Sequence, residues 1–126
     1  MAQGTQETPL VLVVDDDPPM RQAIRWALED EGLEVETAAD GQQAVDLARQ
    51  RRPSLVVLDI RLPVLDGFTV ADELRAVHGP GLPILAISAD GRITVKARRL
   101  GAYAHLAKPF ELDELVLAVR RGLGER

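Results

Sequence analysis

Residues 10–28 read LVLVVDDDPPMRQAIRWAL. Five apolar, mostly β-branched residues (Leu10–Val14) suit a strand covered on both faces, because a half-exposed strand would alternate polar with apolar positions. Three aspartates and two prolines interrupt that run. Pro18 and Pro19 suit the first turn of a helix, whose earliest N–H groups have no intrahelical partner to lose. Beyond them Met20, Ile24, Ala27 and Leu28 share one helical face. The stretch therefore reads as strand, turn and helix within nineteen residues.

The same pattern repeats four more times. Apolar runs of strand length lie at 33–37, 55–58, 82–87 and 102–106. Asp40 with Gln43 resembles a capping box ahead of Ala44, Val45, Leu47 and Ala48. Asp66-Gly67 precedes Val70, Ala71, Leu74 and Val77. Asp90-Gly91 precedes Ile93, Ala97 and Leu100, with Gly101 where a C-terminal glycine cap would sit. The last helix carries Leu112, Leu115, Val116, Val119 and Leu123. Five strand–helix units, (βα)5, predict an α/β domain: a doubly wound, five-stranded parallel sheet with right-handed crossovers and helices on both faces. It occupies residues 10–123, after a small, polar lead-in at 1–9 expected to be disordered and before a tail or start of a linker at 124–126.

Composition narrows the function. The 126 residues carry 20 acids against 15 bases, and a net charge of −5 argues against direct nucleic-acid binding, which needs a basic surface. The absence of cysteine excludes a disulfide scaffold, a thiolate zinc site and a cysteine nucleophile. No run approaches the ~18 apolar residues of a membrane span, and residues 1–9 lack the apolar centre of a signal peptide, so a cytoplasmic, non-membrane domain is expected. The charge is unevenly spread. Residues 1–90 hold sixteen acids and seven bases, net −9, whereas residues 91–126 hold four acids and eight bases, net +4.

In doubly wound sheets, ligands bind at the carboxyl ends of the strands. Asp15, Asp16 and Asp17 end the first expected strand, Asp59 the third, Ser88 the fourth, and Lys108-Pro109 follows the fifth. If the first, third and fourth strands are neighbours, these side chains converge, since adjacent strands lie ~5 Å apart. Clustered carboxylates repel unless a cation intervenes, and an oxygen-only donor set suits Mg²⁺. A lysine and a hydroxyl facing the same point can hold a transferred phosphoryl group, and an aspartate beside Mg²⁺ can attack phosphorus.

Four stretches carry a resemblance: VLVVDDD (11–17), LVVLDIRLPVLDG (55–67), ILAISAD (84–90) and AHLAKPF (104–110). In this order and spacing they resemble the receiver domain of two-component response regulators, over roughly residues 9–123, which implies a flavodoxin-like fold. The resemblance implies that Asp59 is the phosphoacceptor, and that Asp16, Asp59 and the main-chain carbonyl of Arg61 ligate Mg²⁺, with Asp15 acting through a bound water. Ser88 matches the switch hydroxyl, Lys108 the neutralising lysine, and Lys108-Pro109 a cis peptide. His105 stands where the family has a Tyr or Phe switch residue, with Tyr103 two residues earlier on the same strand face. The implied partners are a sensor histidine kinase or phosphotransfer protein as donor, and a homodimer or effector contacted through the basic residues 91–123. The resemblance also implies a domain that promotes its own phosphotransfer and slow dephosphorylation, with the side chains of Arg61 and Asp90 as candidates for tuning the latter, and that is otherwise no enzyme.

Plainer readings compete at single residues. Asp15 to Asp17 could cap the first helix, and Asp17 suits that role best. Lys96 reads as a surface charge in mid-helix, His78 as a loop residue without function, and Trp26 and Phe68 as core or partly exposed helix residues. A haloacid-dehalogenase-type Mg²⁺ phosphatase using Asp15 would fit Asp15-x-Asp17, but no acidic pair follows the lysine and the chain leaves no room for a cap domain. An FMN carrier would need a phosphate-cradling loop where three aspartates stand.

Overall fold

The structure, a computed structural model, describes residues 8–124; positions 1–7 of the expected lead-in and 125–126 of the expected tail lie outside them. Five strands alternate with five helices: β1 (Leu10–Val14), α1 (Pro18–Glu29), β2 (Glu34–Ala38), α2 (Gly41–Gln50), β3 (Leu55–Asp59), α3 (Gly67–His78), β4 (Ile84–Ser88), α4 (Ile93–Leu100), β5 (Ala104–Ala107) and α5 (Leu112–Gly122). All strand pairs are parallel, in the order β2-β1-β3-β4-β5. The (βα)5 architecture expected from the periodicity is the one observed.

Alternation along each strand divides the core in two. Leu12, Val14, Val56, Leu58, Ile84 and Ala86 pack with residues of α2, α3 and α4. Val11, Val13, Leu55, Val57, Leu85 and Ile87 pack with Ile24 and Leu28 of α1 and with Leu115 and Val119 of α5. β1, β3 and β4 are buried at every position, which is why their sequences are apolar almost throughout. β2 and β5 are the sheet edges, and their burial alternates or is partial. Each fully buried Leu or Ile contributes roughly 1.5–3 kcal/mol relative to exposure.

Helix ends follow the sequence signals with local exceptions. The Asp40 carboxylate accepts from Gln43 N–H, but the Gln43 side chain reaches Ala39 N–H rather than Asp40 N–H, so the box is offset by one residue. Asp66 caps α3 by accepting from Thr69 N–H. Asp17 occupies the N-cap position of α1, yet its side chain makes no capping bond. Gly101 ends α4 in the left-handed region (φ 79°), where a side chain would be strained. Arg75, on α3, donates to the carbonyls of Leu100 and Gly101 and so closes the same helix end from outside. β4 begins at Ile84 rather than at the expected Leu82, because Pro83 has no N–H to contribute to a ladder. No helix among the described residues is long and apolar enough to cross a membrane.

Candidate functional site

The register brings the chemistry to one edge. Val14 pairs with Leu58, Asp59 with Ile87 and Ser88 with Ala107, so Asp15, Asp59, Ser88 and Lys108 emerge at the carboxyl ends of four consecutive strands. Each then enters a turn toward a helix. The β3–α3 loop can close tightly because Gly67 lies against Ile60: a Cβ there would sit 2.8 Å from the Ile60 Cα.

Asp15 and Ser88 are fully buried, Asp59 is 4% exposed, and Asp16 is exposed. The Lys108 ammonium lies between two carboxylates, donating to Asp15 Oδ2 at 2.8 Å and to Asp59 Oδ2 at 2.9 Å. The second oxygen of each acid is held by backbone: Asp15 Oδ1 accepts from Asp17 N–H, and Asp59 Oδ1 from Arg61 N–H, both at 2.9 Å. Arg21 of α1 donates to the Asp15 carbonyl at 2.8 Å and steadies the β1–α1 turn. Lys108-Pro109 is a cis peptide, and Lys108 N–H donates to the Ser88 carbonyl. Ser88 Oγ accepts from Asp90 N–H at 3.0 Å, while its own proton has no acceptor among the described residues.

Burial pushes the Asp59 carboxyl above its ordinary range and the Asp15 charge adds to this, against the opposing pull of Lys108 and Arg61 N–H. Burial alone would lower the Lys108 ammonium, but its bonds to Asp15 and Asp59 outweigh that and raise it. The lysine is thus held firmly charged between the two acids. Asp15, Asp16 and Asp59 can each offer an oxygen, all within 4.8 Å of one another. Such a set, free of nitrogen and sulfur donors, fits a hard cation of the Mg²⁺ kind.

A cleft of about 460 Å³ opens beside these acids, lined by Asp16, Arg61, Phe68 and Lys96 among others. Lys96, read from the sequence as a surface charge in mid-helix, is a part-exposed residue of α4 that also pairs with Asp90, 2.5 Å away, and lines the cleft. The missed signal was the Asp90–Lys96 spacing of six, which is no helical neighbour distance but spans a loop and the first turn of α4. The Asp90 carboxylate is held below its usual range by Lys96, Arg92 N–H and the charge of Arg61. His105 lies outside the pocket. It is exposed on β5, with Nε2 3.3 Å from Thr94 Oγ1 of α4. Tyr103, just before β5, is 40% exposed and donates to the Ala118 carbonyl at 2.7 Å. His78 lies against the Ala48 carbonyl and ties α3 to α2, and Trp26 is an exposed helix residue at 66%.

Fold and site together define an α/β domain with an acidic, metal-competent pocket at the carboxyl edge of its sheet. Residues 11–120 match the model of the response regulator receiver domain. Among curated proteins, the chain is similar to the response regulator MprA of Mycolicibacterium vanbaalenii (43% identity over 87% of this chain and 48% of that one). It is also similar to the probable transcriptional regulatory protein TcrX of Mycobacterium tuberculosis (40% identity, 87% and 47%). Among solved structures, the receiver domain of NtrX from Brucella abortus superposes with a TM-score of 0.84 at 41% identity, over 92% of this chain and 99% of that one. The chain belongs to the response regulator receiver domain family, the signalling domains of two-component systems. It spans about half the length of the curated relatives it matches.

Proposed function

We propose that residues 10–123 form a phosphorylation-controlled switch in which Asp59 accepts a phosphoryl group from a histidine kinase, a phosphotransfer protein or a small phosphodonor. The position of Lys108 carries this reading. Its ammonium bridges Asp15 and Asp59, and of these two Asp59 keeps an exposed edge (6% of its side chain, against none of Asp15) through which a donor can reach it. That difference also disfavours Asp15 as a phosphatase nucleophile.

The Asp59 carboxylate attacks phosphorus in line; its O–P bond forms as the donor's bond to imidazole nitrogen or acetate oxygen breaks, and the leaving group departs with that electron pair. Mg²⁺, held by Asp16, Asp59 and the Arg61 carbonyl and by Asp15 through water, would neutralise charge on the phosphoryl oxygens. Lys108 turns from Asp59 Oδ2 to a phosphoryl oxygen, keeping its bond to Asp15. The buried Ser88 hydroxyl, which still has a proton to donate, supplies a further hydrogen bond. Attack by water on phosphorus later releases phosphate and restores the carboxylate, with Arg61 and Asp90 flanking its approach.

The phosphoryl group replaces the single carboxylate charge with one of about −1.5 to −2, and this biases the β4–α4 loop, α4 and β5 between two arrangements. His105, reaching Thr94 across β5 and α4, stands where that change arrives at the surface. The basic residues of 91–123 form the output face toward a second copy or an effector. Incubation with acetyl phosphate and Mg²⁺ should add one phosphoryl mass to the wild-type chain and none to Asp59→Asn. Full labelling of the variant would remove Asp59 from the mechanism.

A further inference from the structure

The Ser88 hydroxyl is fully buried and has two contacts to satisfy. Its oxygen already accepts from Asp90 N–H at 3.0 Å, so its proton is left to point elsewhere, and the acid pocket is where an acceptor would arrive. What holds that N–H in place is the turn it belongs to. The Asp90 carboxylate is engaged twice: Oδ1 accepts from Arg92 N–H at 2.8 Å, and Oδ2 from the Lys96 ammonium at 2.5 Å. Lys96 is anchored in turn on α4, its own N–H donating to the Arg92 carbonyl. A continuous chain of bonds therefore runs from α4 through Lys96 and Asp90 to Ser88. Neither member of the ion pair is fully exposed, with side chains 30% and 22% accessible, so the pair is less screened than an ordinary surface bridge.

We propose that Lys96 is a positioning residue for phosphoryl transfer: by gripping Asp90 it fixes the turn whose N–H orients the Ser88 hydroxyl toward the phosphoryl group. This rests on Asp59 as the acceptor. It differs from a simple electrostatic role, in which Lys96 at the cleft mouth draws in an anionic donor and would act without Ser88.

Phosphoryl uptake from acetyl phosphate with Mg²⁺, followed by intact mass on the whole chain, separates the two. Lys96→Met should slow uptake about two- to fivefold, the range that loss of one partly screened ion pair allows. Lys96→Arg should restore the wild-type rate. In the Ser88→Ala background, Lys96→Met should have no further effect. Multiplicative slowing in the double variant would overturn the proposal and leave the electrostatic role. Hydrogen exchange gives a second readout that needs no phosphoryl group. The Asp90 amide should exchange about two- to fivefold faster in Lys96→Met and at the wild-type rate in Lys96→Arg; equal protection in all three forms would also overturn it. Failure of the wild-type chain to label, or equal labelling of Asp59→Asn, would instead refute the acceptor assignment on which the proposal stands.

Discussion

Lys108→Met tests the electrostatic design of the pocket. The ammonium makes two charge-assisted hydrogen bonds, 2.8 and 2.9 Å long, to carboxylates whose side chains are 0% and 6% exposed. Removing one partner of a buried ion pair costs about 3–5 kcal/mol, because the charge left behind has lost both water and counter-ion. Here two acids are left, and they face each other. Urea unfolding at pH 7 without divalent cations should show Lys108→Met about 3–5 kcal/mol less stable than wild type. Adding Asp59→Asn to it should recover part of the loss, since a single buried carboxylate then remains.

The pH dependence has a definite sign. Burial already holds the Asp59 carboxyl above its ordinary range, and loss of Lys108 raises it further. Folded Asp59 then binds its proton more tightly than the unfolded chain does, so its ionisation penalises the fold as the pH rises above about 4. The deficit of Lys108→Met should be full at pH 7 and close as the pH falls toward 4. Mg²⁺ at ten times its dissociation constant should return about 1.4 kcal/mol. A variant within 1 kcal/mol of wild type at pH 7 without Mg²⁺ would refute the view that Lys108 holds the two acids together.

Three further substitutions probe the scaffold. Val64 has φ 71° on an exposed turn (79% accessible), a conformation that strains a β-branched residue, so Val64→Gly should raise the urea midpoint by an amount equivalent to about 1 kcal/mol. Gly122→Ala would place a Cβ 2.4 Å from Leu55 Cδ1 and from the Tyr103 ring and hydroxyl, and thermal unfolding should show a loss of about 1–3 kcal/mol. Burial keeps the Tyr103 phenol protonated well above its ordinary range. Its contribution is complete below pH ~10 and is lost as the pH rises beyond that. Tyr103→Phe should therefore flatten the alkaline fall in stability above that pH.

Much of this was legible along the chain. Periodicity two against periodicity 3.6 is a local property, so five strands and five helices could be read before any contact was known. The later start of β4 has a local cause, since Pro83 cannot donate to a ladder, and so has the offset box of α2, whose capping aspartate and glutamine bond one residue apart. Asp17 shows the limit of such rules. Its position is that of a cap, but Pro18 and Pro19 at the first two helical positions have no N–H to donate, and its side chain takes no capping bond. The pairing of Lys96 with Asp90 was not legible because the partner lies across a loop, at a spacing that no helix rule covers.

The amino-acid order by itself determined the elements, their alternation and the residues placed at strand ends, since each follows from side-chain size, polarity and backbone freedom within a few positions. Only the tertiary structure decided that Lys108 bridges Asp15 and Asp59 and that Lys96 reaches Ser88 through Asp90. Those contacts join residues up to 93 positions apart, and they depend on the β1-β3-β4-β5 order and on the depth at which each carboxylate is buried. Burial turns weak surface charges into strong, directed ones, and it is a property of the packed chain.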